Sequence, residues 1–266
     1  MKIRILAWIT FLALLRNRLI ILFFAVFVCV LLFMMSPMLI ARSMTADNPE
    51  QGQGMEIMLI SAVMSLVSGF GSLLAAWSAA DAVASEMKTG TILAVLARPV
   101  RRWEFLLSKY CGVLMLMAVY VLFMFAISNL LALIGGARLV NNPWVLFVYP
   151  MVRYGIYAAL AIWLVTLMHP IFAFAIVMIA GVAANLVAPS STGAAFLPPW
   201  LHSGLFYLLP SMSLLSETNF LAITSASLEQ TPWTQHLTAL VYGLDQSLVC
   251  LLLAAWTFRR RGLTRE

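Results

Sequence analysis

The chain has 266 residues, of which 63% are hydrophobic and only 10% charged, with a formal net charge of +6. Soluble domains average about 45–50% apolar and about 25% charged residues, so this composition excludes a soluble globular protein and describes a single transmembrane domain over 1–266. The basic residues flank apolar runs, which marks membrane topology rather than a nucleic-acid surface.

Residues 1–18 carry Lys2, Arg4, Arg16 and Arg18 around an apolar stretch containing Trp8. No small-residue cleavage site follows, and the next apolar run is too long for a signal peptide. The segment therefore reads as an interfacial helix. Residues 19–40 form the first predicted span, about 33 Å long as a helix, enough for a hydrocarbon core of about 30 Å. The polar stretch RSMTADNPEQGQG follows, and the second span is predicted over 55–80. Two series of small residues run along it at four-residue spacing, Ser61/Ser65/Gly69 and Ser68/Ser72/Ala76/Ala80. Such a ridge admits a close helix neighbour; a substrate-lining face is the competing reading.

Residues 81–107 are the long charged interruption of the chain, read as a cytoplasmic loop. The second helix is expected to continue to about Glu86 and to break at Gly90, since glycine costs roughly 1 kcal/mol in a helix interior. Thr91 then caps a short helix whose Ile92, Val95 and Leu96 share one face. Arg98-Pro99 ends it, because a residue before proline avoids the helical region. Further spans are predicted over 108–134, ending at Gly135-Gly136, over 144–167, and over 171–188 after a tight turn at His169-Pro170. The external segment 189–235 contains a 15-residue apolar stretch, too short to cross, and is read as re-entrant or interfacial helices. The last span lies in 236–258, followed by Arg259-Arg260-Arg261.

The fold class expected is thus an all-α membrane protein of six spans with both termini cytoplasmic. The positive-inside rule favours that count: of the 16 lysines and arginines, all but Arg42, Arg138 and Arg153 fall on the side of the termini. Ionisable residues inside spans are functional candidates. Asp245 and Arg153 are therefore either polar elements of a pathway or a structural ion pair. Asn129 and Asn185 are mid-span amides suited to interhelical hydrogen bonds. Cys29, Cys111 and Cys250 have neither metal-ligand nor disulfide spacing, and no metal site or catalytic residue is expected. No G-x-x-x-x-G-K-[ST] occurs, so the chain itself holds no nucleotide.

The pattern Glu86-x-x-x-Gly90-Thr91, Leu96, Pro99-Val100-x-Arg102 and Lys109 resembles the segment between the second and third helices of type-2 ABC exporter membrane subunits, the ABC-2 type permeases. Tyr207-Leu208-Leu209-Pro210 and the ending Leu253 to Arg261 agree with that layout. The resemblance implies that 91–98 is the coupling helix, that 1–18 is the connecting helix beside it, and that Glu86 relays nucleotide-driven motion. It also implies a dimer with a second permease copy or paralogue and two copies of an ABC ATPase subunit holding ATP and Mg. The setting implied is a bacterial inner membrane. Two alternatives stand beside export: a subunit that uses ATP to do mechanical work on a partner, and a membrane-embedded enzyme. A lone mid-span aspartate and the lack of H-E-x-x-H argue against the enzyme.

Overall fold

A computed structural model describes residues 2–30, 33, 49–89, 102–135, 143–186, 198, 215 and 233–260. The described residues form seven α-helices and no strand. These are α1 (Lys2–Leu15), α2 (Arg18–Val30), α3 (Pro49–Thr89), α4 (Arg102–Gly135), α5 (Pro143–Leu167), α6 (Pro170–Leu186) and α7 (Trp233–Arg260).

The N-terminal pair divides where the sequence places the change from interfacial helix to span. α1 and α2 meet at a bend of 60°. Asn17 makes the corner, because its Oδ1 accepts the Leu19 N–H at 3.0 Å. That is the capping role of a residue just before a helix start.

α3 is 41 residues long, far beyond the predicted 55–80, and about 62 Å at 1.5 Å per residue. It continues unbroken through Glu86 to Thr89, and α4 starts at Arg102. Much of the predicted 81–107 loop is therefore helix, because Ala79, Ala80, Ala82, Val83 and Ala84 are buried against neighbouring helices and the packing carries the helix onward. Only 90–101 separates α3 from α4, and it lies outside the described residues, as does most of the segment between α6 and α7.

Four helices contain stretches long and apolar enough to cross a membrane: Ser65–Met87, Trp103–Ala126, Phe147–Leu167 and His236–Arg260. The bent α1–α2 pair adds a fifth if it counts as one span. α6, predicted as the fifth of six spans, covers 17 described residues, about 26 Å and at the lower limit of a span; residues 187–197 lie outside the described residues.

Helices α3, α4 and α5 form the centre, with α7 along α5, α1 along α4, and α6 against α3 and α5. Tyrosines fill the space that glycines leave. A Cβ on Gly71 would lie 2.3 Å from the Tyr154 hydroxyl, and one on Gly181 would lie 2.4 Å from that of Tyr157. Phe27, Phe70 and Tyr120 stack at the meeting of α2, α3 and α4. Of the two small-residue series on α3, Ser68, Ser72, Ala76 and Ala80 are buried in the bundle. Ser65 is exposed, and a Cβ on Gly69 would meet nothing within 4 Å.

Candidate functional site

One end of the bundle gathers the charged groups. α3 arrives there with Asp81 and Glu86, and α4 leaves from it with Lys109. The Lys109 side chain is only 8% exposed and pairs with the Glu86 carboxylate, which is 26% exposed. A lysine so far from water needs its donors occupied. Its Nζ also donates to Thr10 Oγ1 at 3.1 Å, and it lies 5.5 Å from the Phe105 ring centroid. Thr10 uses the other side of its hydroxyl, donating to the Leu6 carbonyl oxygen at 2.9 Å.

A second tie lies near it. Asn17 Nδ2 donates to Asp81 Oδ2 at 2.8 Å, while its Oδ1 caps α2. α1 comes this close to α4 because Gly112 lacks a side chain. A Cβ there would lie 2.9 Å from the Ala7 carbonyl oxygen and 2.7 Å from Thr10 Cβ. Three elements remote in sequence are thus joined by three polar contacts and one glycine.

α7 ends at the same place. Phe258 stacks on Phe105 of α4 with centroids 6.2 Å apart, Thr257 and Thr166 hydroxyls are 2.7 Å apart, and Arg260 lies over the Trp256 ring at 3.8 Å.

Glu86 is therefore partnered rather than merely solvated, by a lysine that no spacing in the sequence singles out as its partner. Lys109 was visible as a motif residue and as a charge inside an apolar run. Thr10, Asn17 and Gly112 carried no signal, since each is ordinary where it stands in the sequence. Gly90, Thr91, Ile92, Val95, Leu96 and Pro99 lie outside the described residues. Arg102 opens α4, but its side chain lies outside them, as do those of Asn129 in α4 and Asn185 in α6.

Arg153 and Asp245 are not brought together. Arg153 Nη1 donates to Ser68 Oγ at 2.8 Å, and its buried Nε has no hydrogen-bond partner among the described residues. Asp245 is exposed on α7, on a face with Leu237, Val241, Leu244, Leu248 and Leu252. At the end of the bundle remote from Glu86, Tyr149 Oη and His236 Nδ1 are 2.7 Å apart and tie α5 to α7.

No curated protein matches the chain. The family model described as ABC-2 family transporter protein matches residues 4–263. That match runs from α1 through the end of α7, and such proteins are the membrane permeases of ABC transporters, working with an ABC ATPase subunit. With nearly every residue inside the match and the apolar helices to suit it, the chain is an integral membrane protein that belongs to the ABC-2 family.

Proposed function

We propose that this permease is an exporter subunit of a bacterial inner membrane, working as a dimer with a second copy or a paralogue and driven by two ATPase subunits that bind ATP and Mg. Both termini lie in the cytoplasm and six passes cross the bilayer. The coupling helix 91–98 docks on the ATPase through Ile92, Val95 and Leu96, with Gly90 and Pro99 as its limits and Arg102 at its far turn. Glu86 carries the motion upward.

The observation behind this reading is the Glu86–Lys109–Thr10 junction. It sits on the two helices that lead into and out of 90–101, so a load applied to that segment reaches three helices at once. The α7 face supports the dimer. An ionised aspartate at the centre of a span costs at least about 2.5–3.5 kcal/mol against hydrocarbon, which favours its cover by another subunit.

Docking is tested by co-purifying the permease with its ATPase. Ile92→Asp and Leu96→Asp place a charge on the apolar face and are expected to abolish association while the permease still inserts. ATPase recovered at full stoichiometry with both variants would mean that this face meets lipid instead.

A further inference from the structure

We infer that Arg153 and the α3 face carrying Ser65 and Gly69, beside the buried Ser68, form a binding site for an anionic group, a phosphate or carboxylate, on the transported molecule. The inference rests on the transport reading and adds the chemical class of the cargo.

Arg153 stands nine residues along from Trp144, where the predicted span starts, about 14 Å into it at 1.5 Å per residue. An arginine at that depth can reach back to the interface with its long stem. This one turns across to α3, where Nη1 meets Ser68 Oγ at 2.8 Å. A hydroxyl satisfies one donor but neutralises no charge. Among the described residues the buried Nε has no hydrogen-bond partner and no ion pair reaches Arg153. Guanidinium recognises planar or tetrahedral oxyanions through paired N–H donors, so this side chain retains the capacity an anion would use.

The surroundings supply room on one side only. Towards the bundle axis, Tyr154 and Tyr120 close against Gly71, where a Cβ would fall within 2.7 Å of both rings. Tyr120 is fixed there by its hydroxyl, which donates to the Val67 carbonyl oxygen at 2.6 Å. Away from the axis, Ser65 is exposed and Gly69 has nothing within 4 Å of its Cβ position. On a helix of 3.6 residues per turn Ser65, Ser68, Gly69 and Ser72 share one face. The site is therefore a cationic donor beside an α3 face where, among the described residues, no atom stands over Gly69, in an otherwise apolar bundle. An anionic group on an apolar body fits it.

The test uses the full chain in detergent, equilibrated with mixed phosphatidylglycerol and phosphatidylcholine, with retained lipid read by native mass spectrometry. Retention of phosphatidylglycerol over phosphatidylcholine is expected, and Arg153→Gln should lower the phosphatidylglycerol share about tenfold or more, as loss of a charged hydrogen bond does. Gly69→Leu adds bulk on this face without removing the charge, at a position whose Cβ meets no described atom within 4 Å, and should lower retention while the protein stays monodisperse. Inorganic phosphate separates the sources. Displacement of the lipid by phosphate supports a free-anion site, and retention against phosphate that is lost in Arg153→Gln supports a headgroup site. Equal retention of the two lipids by the wild type overturns the inference, as does unchanged retention in both variants. If Arg153→Gln instead dissociates dimers with retention unchanged, the anion is a neighbouring subunit's carboxylate and the inference falls. None of these readouts depends on the ATPase, so failure here leaves the docking result standing.

Discussion

At the scale of single residues, the decisive contact is between Glu86 and Lys109. Burying two charges is costly, and the attraction between them offsets that cost only when the remaining donors are also met. Here Thr10 meets one of them at 3.1 Å. Removing one partner strands the other. Loss of a fully buried partner costs about 3–5 kcal/mol, and since Glu86 is 26% exposed, water takes up part of the loss. Lys109→Ala is therefore expected to destabilise the protein by about 1–3 kcal/mol, read as a fall in the thermal unfolding midpoint in detergent. Glu86→Gln should cost less than Lys109→Ala, because the amide oxygen still accepts from the ammonium. In a double-mutant cycle the two changes should be clearly non-additive; additive losses would mean that the pair contributes no coupling. The sequence made half of this contact legible. Glu86 and Lys109 both stand out as motif residues of the charged stretch, but nothing in their spacing says that they meet, because their pairing depends on where the 90–101 segment returns the chain. Thr10 was illegible for a plainer reason: a threonine in an apolar helix bonds its own turn as a matter of course, and only the fold adds the lysine.

At the scale of helices, the sequence located the turns well and the ends poorly. Glycine pairs and His169-Pro170 stop or restart helices by local sterics, and α4 ends at Gly135 and α6 begins at Pro170 accordingly. The far end of α3 runs through Glu86 to Thr89, in keeping with the expected continuation to about Glu86, and Ala79 to Ala84 pack it into the bundle. Its start at Pro49, ahead of the predicted 55, follows no local rule. The two small-residue series on α3 look alike in sequence and differ in the bundle, where Ser68, Ser72, Ala76 and Ala80 are packed and Ser65 is exposed, since only the neighbouring helices decide which is covered. The glycines test this distinction. Gly112→Val places branched carbons against the Ala7 carbonyl, which cannot move without moving α1. It should release α1 from α4, read as faster proteolysis between residues 1 and 18 and a lower unfolding midpoint. Gly69→Ala meets open space, and alanine is favoured in a helix by about 1 kcal/mol over glycine, so it should leave stability unchanged or slightly raised. Equal losses in the two variants would mean that both positions are packed.

At the scale of the molecule, the number of crossings decides where the termini lie. Five crossings, with α1–α2 as one span and α6 not crossing, put the ends of the chain on opposite sides; six put them together. Several contacts bear on this. α1 packs at the start of α4 through Gly112 and Lys109, and the end of α7 stacks on the same part of α4 through Phe258 and Phe105, so the two lie at one end of the bundle. Between them the chain leaves that end after Leu167 and reappears at the other, where His236 meets Tyr149. Its return starts along α6, with Phe174 against Trp77 and Gly181 beside Tyr157. A 17-residue helix can cross where the bilayer thins locally or where flanking residues complete the passage, so its length does not oppose a sixth pass. With the cysteines replaced, single cysteines at Thr45 and Ser227 are expected to react with an impermeant maleimide in intact cells, and one at Thr264 only after permeabilisation. A cysteine at Arg4 should behave like Thr264. Opposite labelling at Arg4 and Thr264 would establish five crossings, and the basic cluster Arg259-Arg260-Arg261 would then share a side with the polar stretch around Thr45. That arrangement sets the densest positive charge of the chain outside, against the bias that orients membrane helices.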